Sequence, residues 1–317
     1  MTIYIVGGKI MDTIIKDTLS QHKIMLDQNC KLIISHEEML SRIIKEFVEE
    51  AKHLSIEEII KIVQDEHRFQ RLNNENTIPG YGTVRFDFFG CIDLPQLDHT
   101  IKRIYLNVEI QNDAYTKYSL ITRGDAYLSR IQTTQWGKEY DNRNYDGMKK
   151  VYLIWILPQA AKKRDGQVSI CKTDEKKHLE KVESYDKREQ IMIYLDKEHD
   201  TSKKYQEYDE ILTPLVVFLN NILDYQGKIR IMKEYGFKEI EKEVSDVCDY
   251  ANMLEKEYLN KGIGIGVEKG IEQGTQKKNI EHVRKLMTKL KMTFKEAIQF
   301  LDIPEDEVKE IEKYFKS

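Results

Sequence analysis

The chain has 317 residues, of which 40% are hydrophobic and 33% charged, with 50 Lys and Arg against 54 Asp and Glu and a net charge of −4. That length holds one large domain with appendages, or two domains. The near balance of charge excludes nucleic-acid binding through bulk basicity, although residues 101–165 carry 12 Lys/Arg against 7 Asp/Glu. No apolar run reaches the roughly 18 residues that a membrane helix needs, so no membrane partner is expected. Cys30, Cys91, Cys171 and Cys248 lie far apart without metal-ligand spacing, and Met1–Lys9 lacks a basic lead-in and a long apolar core. A reducing, cytoplasmic setting is the expectation.

In chain order, Met1–Val6 reads as a short strand and Gly7-Gly8 as a turn. From Ser35 the apolar positions Met39, Leu40, Ile43, Ile44 and Phe47 recur at helical spacing, which predicts a helix to about Lys52 with Ser35 as its N-cap. A second helix starts at Ser55, where Ser55 and Glu58 have capping-box spacing. Residues 66–82 are polar and carry Asn73, Asn74, Pro79, Gly80 and Gly82, the composition of a connecting loop. Two strands follow. In Ile104–Gln111, Ile104, Leu106, Val108 and Ile110 alternate with Tyr105, Asn107, Glu109 and Gln111, so Glu109 and Gln111 project from one face. In Val84–Phe89, Asp87 points away from Val84, Phe86 and Phe88. If the strands pair as a hairpin, Asp87 lies beside Glu109, and such oxygen ligands suit a hard divalent cation.

Tyr118–Gln135 is helical in pattern, with Arg123 and Arg130 seven residues apart near one face. Val151–Leu157 is a continuous apolar run that suits a central strand covered on both faces, and Ile191–Leu195 reads as another. Trp136 and Trp155 read as core residues. From Tyr208 the chain is helical, with Pro214 in the first turns of a stripe formed by Ile211, Leu215, Val216, Leu219 and Leu223. Gly262, Gly264, Gly266, Gly270 and Gly274 have no strand before them, so they are not a phosphate-binding loop. Their spacing leaves two readings open: one face of a helix that packs on a second copy, or a hinge. Thr293–Glu296 caps a short helix and Pro304 opens the last one.

The ordered set Arg85-Phe86-Asp87, Asn107-Val108-Glu109-Ile110-Gln111, Tyr118, Arg123, Tyr127, Ser129, Gln132 or Gln135, Tyr140 and Val151–Ile156 resembles the PD-(D/E)XK nuclease family transposases, relatives of the Rpn-type recombination-promoting nucleases. The resemblance covers about residues 35–160, and a weaker one covers Ala297–Pro304. It implies an α/β fold in which a mixed β-sheet core of restriction-endonuclease type is flanked by helices, with an α-helical C-terminal region. The segments implied are 1–34, a nuclease-like core over 35–205, a helical extension over 206–260, and a glycine-repeat and helical ending over 261–317.

The activity implied is Mg²⁺-dependent (or Mn²⁺-dependent) endonucleolytic hydrolysis of DNA, with Asp87 and Glu109 as catalytic residues and metal ligands. Gln111 stands where many members of the wider superfamily have lysine, a departure that the Rpn-like branch shares. The resemblance also implies a glutamate on the first helix, for which Glu50 is the choice, with Glu46 one helical turn away. Arg123 and Gln135 are the expected phosphate contacts. The partners implied are DNA and, through the C-terminal helices, a second copy of the chain. The alternatives are a nuclease-fold protein that binds DNA or a protein partner without cutting, and a helical scaffold with no nucleic-acid role.

Overall fold

The computed structural model describes residues 31–80, 82–111, 116–172, 186–196, 198–219 and 223–315. The strand expected at Met1–Val6 lies outside them. The described helices and strands are α1 (Glu37–Phe47), α2 (Ile56–Val63), β1 (Phe69–Arg71), β2 (Glu75–Ile78), β3 (Gly82–Arg85), β4 (Phe88–Pro95), β5 (Ile101–Ile110), α3 (Leu120–Thr134), β6 (Lys150–Leu157), β7 (Val168–Lys172), β8 (Arg188–Tyr194), α4 (Asp209–Leu219), α5 (Tyr225–Glu234), α6 (Glu241–Lys289), α7 (Phe294–Phe300) and α8 (Glu305–Glu312). The chain divides into two compact units between Ala251 and Asn252, inside α6.

The first unit is a mixed α/β layer structure around a six-stranded sheet of order β1-β4-β5-β6-β8-β7. β4 and β5 pair antiparallel with Phe88 opposite Val108, whereas β6 runs parallel to both β5 and β8. A parallel pair needs a crossover, and α3 supplies it between β5 and β6. The period of two along β5 sorts its side chains. Ile104, Leu106, Val108 and Ile110 join Tyr152, Ile154 and Ile156 in a core under α1, α2, α4 and α5. Tyr105 joins Val151, Leu153, Trp155 and Leu157 in a second core under Leu120, Leu128 and Ile131 of α3. β6 is therefore covered on both faces, as its unbroken apolar sequence requires.

Gly124 sets how closely α3 approaches the sheet. A Cβ there would stand 1.9 Å from Gln190 Oε1 and 2.9 Å from Leu153 Cδ2, so both side chains would have to shift to admit one.

Several expectations are corrected. The helix expected from Ser35 to Lys52 starts at Glu37 after His36 and stops at Phe47, where Val48 turns extended; a 3-10 turn, Glu49–Ala51, follows. Glu46 and Glu50 therefore do not share a helix face. The polar stretch expected to be a loop contains β1 and the two-stranded ribbon β2–β3. Of the two readings left open for the glycine segment, the helical one matches its backbone, which lies within α6. The capping boxes at Ser55/Glu58 and Thr293/Glu296 are both formed.

In the second unit, Val283 of α6, Ala297 of α7, Ile303 of the α7–α8 connection and Ile311 of α8 form a small core of their own. Among the described residues no helix is long and apolar enough to cross a membrane.

Candidate functional site

Asp87 sits in the two-residue break between β3 and β4, beside the last turn of the β5 ladder. Its Oδ2 accepts from the Ile110 amide at 2.9 Å, and its own amide donates to Glu109 Oε1 at 3.3 Å. These two bonds tie the carboxylates of neighbouring strands to one corner of the sheet. Asn107, two residues earlier on the same face, completes the support. Its Nδ2 donates to Phe88 O at 2.8 Å and to Glu109 Oε1 at 2.9 Å. Asn107 is fully buried, and its Oδ1 has no hydrogen-bond partner.

Glu109 is only 3% exposed and forms no ion pair among the described residues. Burial pushes its carboxyl up to about 8, the Asp87 charge pushes the same way, and the bonds from Asn107 and the Asp87 amide offset part of the rise. Asp87 does have a cation nearby: Lys31 Nζ lies 3.4 Å from Oδ1.

The other side of the site comes from α3, capped by Ser119 through the Thr122 amide. Arg123 Nη1 donates to Gln111 Oε1 at 3.0 Å, and its Nε and Nη2 donate to the Tyr127 hydroxyl at 3.1 and 2.6 Å. The guanidinium carbon also stands 5.0 Å from the Tyr127 ring centre and 5.3 Å from that of Trp155. Trp155 faces Glu109 across the parallel register. The arginine is thus fixed in orientation by an amide, a phenol and two rings, with N–H groups left over.

Two predicted residues lie elsewhere. Glu50 Oε2 accepts from the Tyr152 hydroxyl at 2.7 Å. Tyr152 belongs to the opposite face of the sheet and pairs with Leu106, nearer the start of β5, so Glu50 is a buried packing partner away from Glu109. Gln135 is fully buried. Its Oε1 accepts from the Lys149 amide at 2.8 Å and its Nε2 donates to the Lys149 carbonyl at 3.2 Å, which removes it from any contact with DNA. Conversely, reasoning on spacing alone overlooked Asn107 and Lys31. Asn107 carried a readable signal, since it shares Glu109's face by alternation; Lys31 carried none.

Among the described residues no group of three or more His, Cys, Asp or Glu side chains is placed to hold a metal ion, so the carboxylate pair stands without a third protein acid. Comparison of the chain with protein-family models, with curated proteins and with solved structures finds no match.

Proposed function

We propose that this chain is a metal-dependent DNA endonuclease on a PD-(D/E)XK-type core, with Asp87 and Glu109 holding the ion. The observation that carries the reading is Glu109: a carboxylate buried beside a second carboxylate, with no ion pair of its own among the described residues. Such a group is stabilised by a divalent cation more than by water. The antiparallel β4–β5 pair followed by the α3 crossover to β6 supports the same reading.

The donor set fits Mg²⁺ or Mn²⁺, because Mg²⁺ is commonly held by one or two carboxylates, with waters and substrate phosphate completing its shell. When bound, such an ion acidifies water and stabilises charge on the phosphate. The protein side chains do the rest. Asn107 and the Asp87 amide hold Glu109 in place, and the Ile110 amide holds Asp87. Gln111 carries no charge, so it cannot do what lysine does at that position; Arg123, bonded to it, supplies the positive charge toward the scissile phosphate. The biology proposed is DNA cleavage that promotes recombination, in the manner of the transposase-like nucleases.

One observation favours a second reading. The Lys31 ammonium sits beside Asp87, where a cation is needed, and a protein neutralised this way would bind DNA, or a protein partner, without cutting it. Plasmid nicking separates the two. The endonuclease reading expects nicking with Mg²⁺ or Mn²⁺ that Asp87→Ala and Glu109→Ala abolish while the thermal midpoint stays within a few degrees. Identical behaviour of wild type and both variants sinks it. Salt-sensitive DNA binding without nicking selects the second reading.

A further inference from the structure

Trp136 is not a core residue. It is 49% exposed and Tyr145 is 60% exposed, whereas Trp155 is buried. Trp136 stands edge-on to Tyr140 at 5.4 Å between ring centres, and Tyr145 lies 5.9 Å from Trp136 and 6.1 Å from Tyr140. The loop that carries the rings is tied down from beneath. Gly137 N donates to Tyr140 O, Tyr140 OH donates to Gln132 O, and Asp141 Oδ1 accepts from the amides of Arg143 and Asn144. Buried Gln135 clamps the loop's far end at Lys149. Three aromatic rings are therefore held on a rigid frame with much of two of them open to water. Lys138 and Arg143 flank them, exposed and without an ion pair to a carboxylate among the described residues, alongside the exposed Asp141 and Asp146; Glu139 of the same loop is paired with Arg103.

The position of this cluster relates it to the acid pair. Arg123 and Trp136 are separated by the length of α3, about 20 Å at 1.5 Å per residue. At the Trp136 end of α3, on the same face of the sheet, is a cavity lined by Phe89, Arg103, Tyr105, Thr134, Lys138 and Glu139. Tyr105 precedes Glu109 on β5 by four residues, about 13 Å along the strand. Between the two ends of α3 the hairpin β2–β3 touches the helix, where Arg130 Nη1 donates to Gly82 O at 3.3 Å.

We propose that Trp136, Tyr140 and Tyr145 form a base-stacking platform for a single-stranded segment of DNA whose backbone is engaged at the Arg123 end of α3. This rests on the reading of the acid pair as a nuclease site and adds the form of substrate that site takes. Single-stranded nucleic acid is held by rings that stack on its bases and cations that follow its phosphates, and both are present here. A continuous duplex keeps its base faces covered and gains little from exposed rings.

The test uses the full chain carrying Asp87→Ala, so that no substrate is cut, with (dT)15 and a 15-base-pair duplex as probes. Affinity is read in every variant from the anisotropy of fluorescein-labelled DNA; tryptophan quenching that disappears in Trp136→Phe marks Trp136, and quenching that persists there comes from Trp155, which lies against Arg123, and counts against the platform. The expected result is quenching by (dT)15, a loss of at least tenfold in its affinity on Trp136→Ala or Tyr145→Ala, and duplex affinity unchanged within twofold. Trp136→Phe keeps a ring and is expected to retain most of the (dT)15 affinity, which guards against a folding defect in the alanine variant. Equal affinity of wild type and Trp136→Ala for (dT)15 overturns the platform and leaves the nuclease reading standing. Emission unmoved by DNA but dependent on protein concentration marks a protein-facing patch and also overturns it. Failure to bind either DNA overturns both.

Discussion

The Tyr152 hydroxyl donates to Glu50 at 2.7 Å on the face of the sheet away from Glu109. Burial pushes the Tyr152 phenol far above its ordinary value, and the Glu50 charge and hydrogen bond push the same way, so the donor stays protonated. The bond is structural. Tyr152→Phe is expected to lower stability by about 1 kcal/mol in urea titration and to leave any nicking activity unchanged. A variant that folds normally but loses nicking would return Glu50 to the active site.

Glu109 gives the protein a signature with pH. Its carboxyl rises from the ordinary 4.5 to about 8 in the folded state, so the native protein holds a proton that the unfolded chain releases. The contribution is fully present below pH 4.5 and is lost as pH climbs through 8, on the order of a few kcal/mol over the window. Glu109→Gln removes the titration. Metal-free denaturant curves between pH 5 and 9 are expected to show wild-type stability falling relative to the Gln variant; parallel curves would contradict the buried-acid geometry.

Gly124 is the contact point between α3 and the sheet. Gly124→Ala is expected to cost about 1–3 kcal/mol despite alanine's better helix propensity, because Gln190 and Leu153 must move to admit the methyl. A midpoint that rises in chemical denaturation would show the helix to be farther from the sheet than described.

Much of the site's acidic half was legible because alternation is a strong signal. Ile104 to Gln111 puts Glu109 on one face without ambiguity, and a hairpin neighbour brings Asp87 to it. The end of α1 was not legible, since nothing local breaks the helix before Val48; the turn there comes from how the chain packs. The strands β1 to β3 hid in a polar stretch because a short or two-stranded ribbon buries too little to leave an apolar pattern. Gln135 and Trp136 reversed their residue-type expectations, the amide being buried and the indole exposed. Both belong to the segment after α3, where backbone bonding, not hydrophobicity, decides which side chain faces inward.

The way β5 is joined to its two neighbours gives the halves of the site different assembly costs. The acids meet across a tight connection, Gln96–Thr100, whose closure loses little chain entropy. Arg123 and Trp155 join them only after the whole α3 crossover has closed and β6 has docked in parallel, a longer-range step. Folding is therefore expected to bring the carboxylates together before the arginine and indole dock beside them, so that a nascent chain carries its acidic corner before its positive wall.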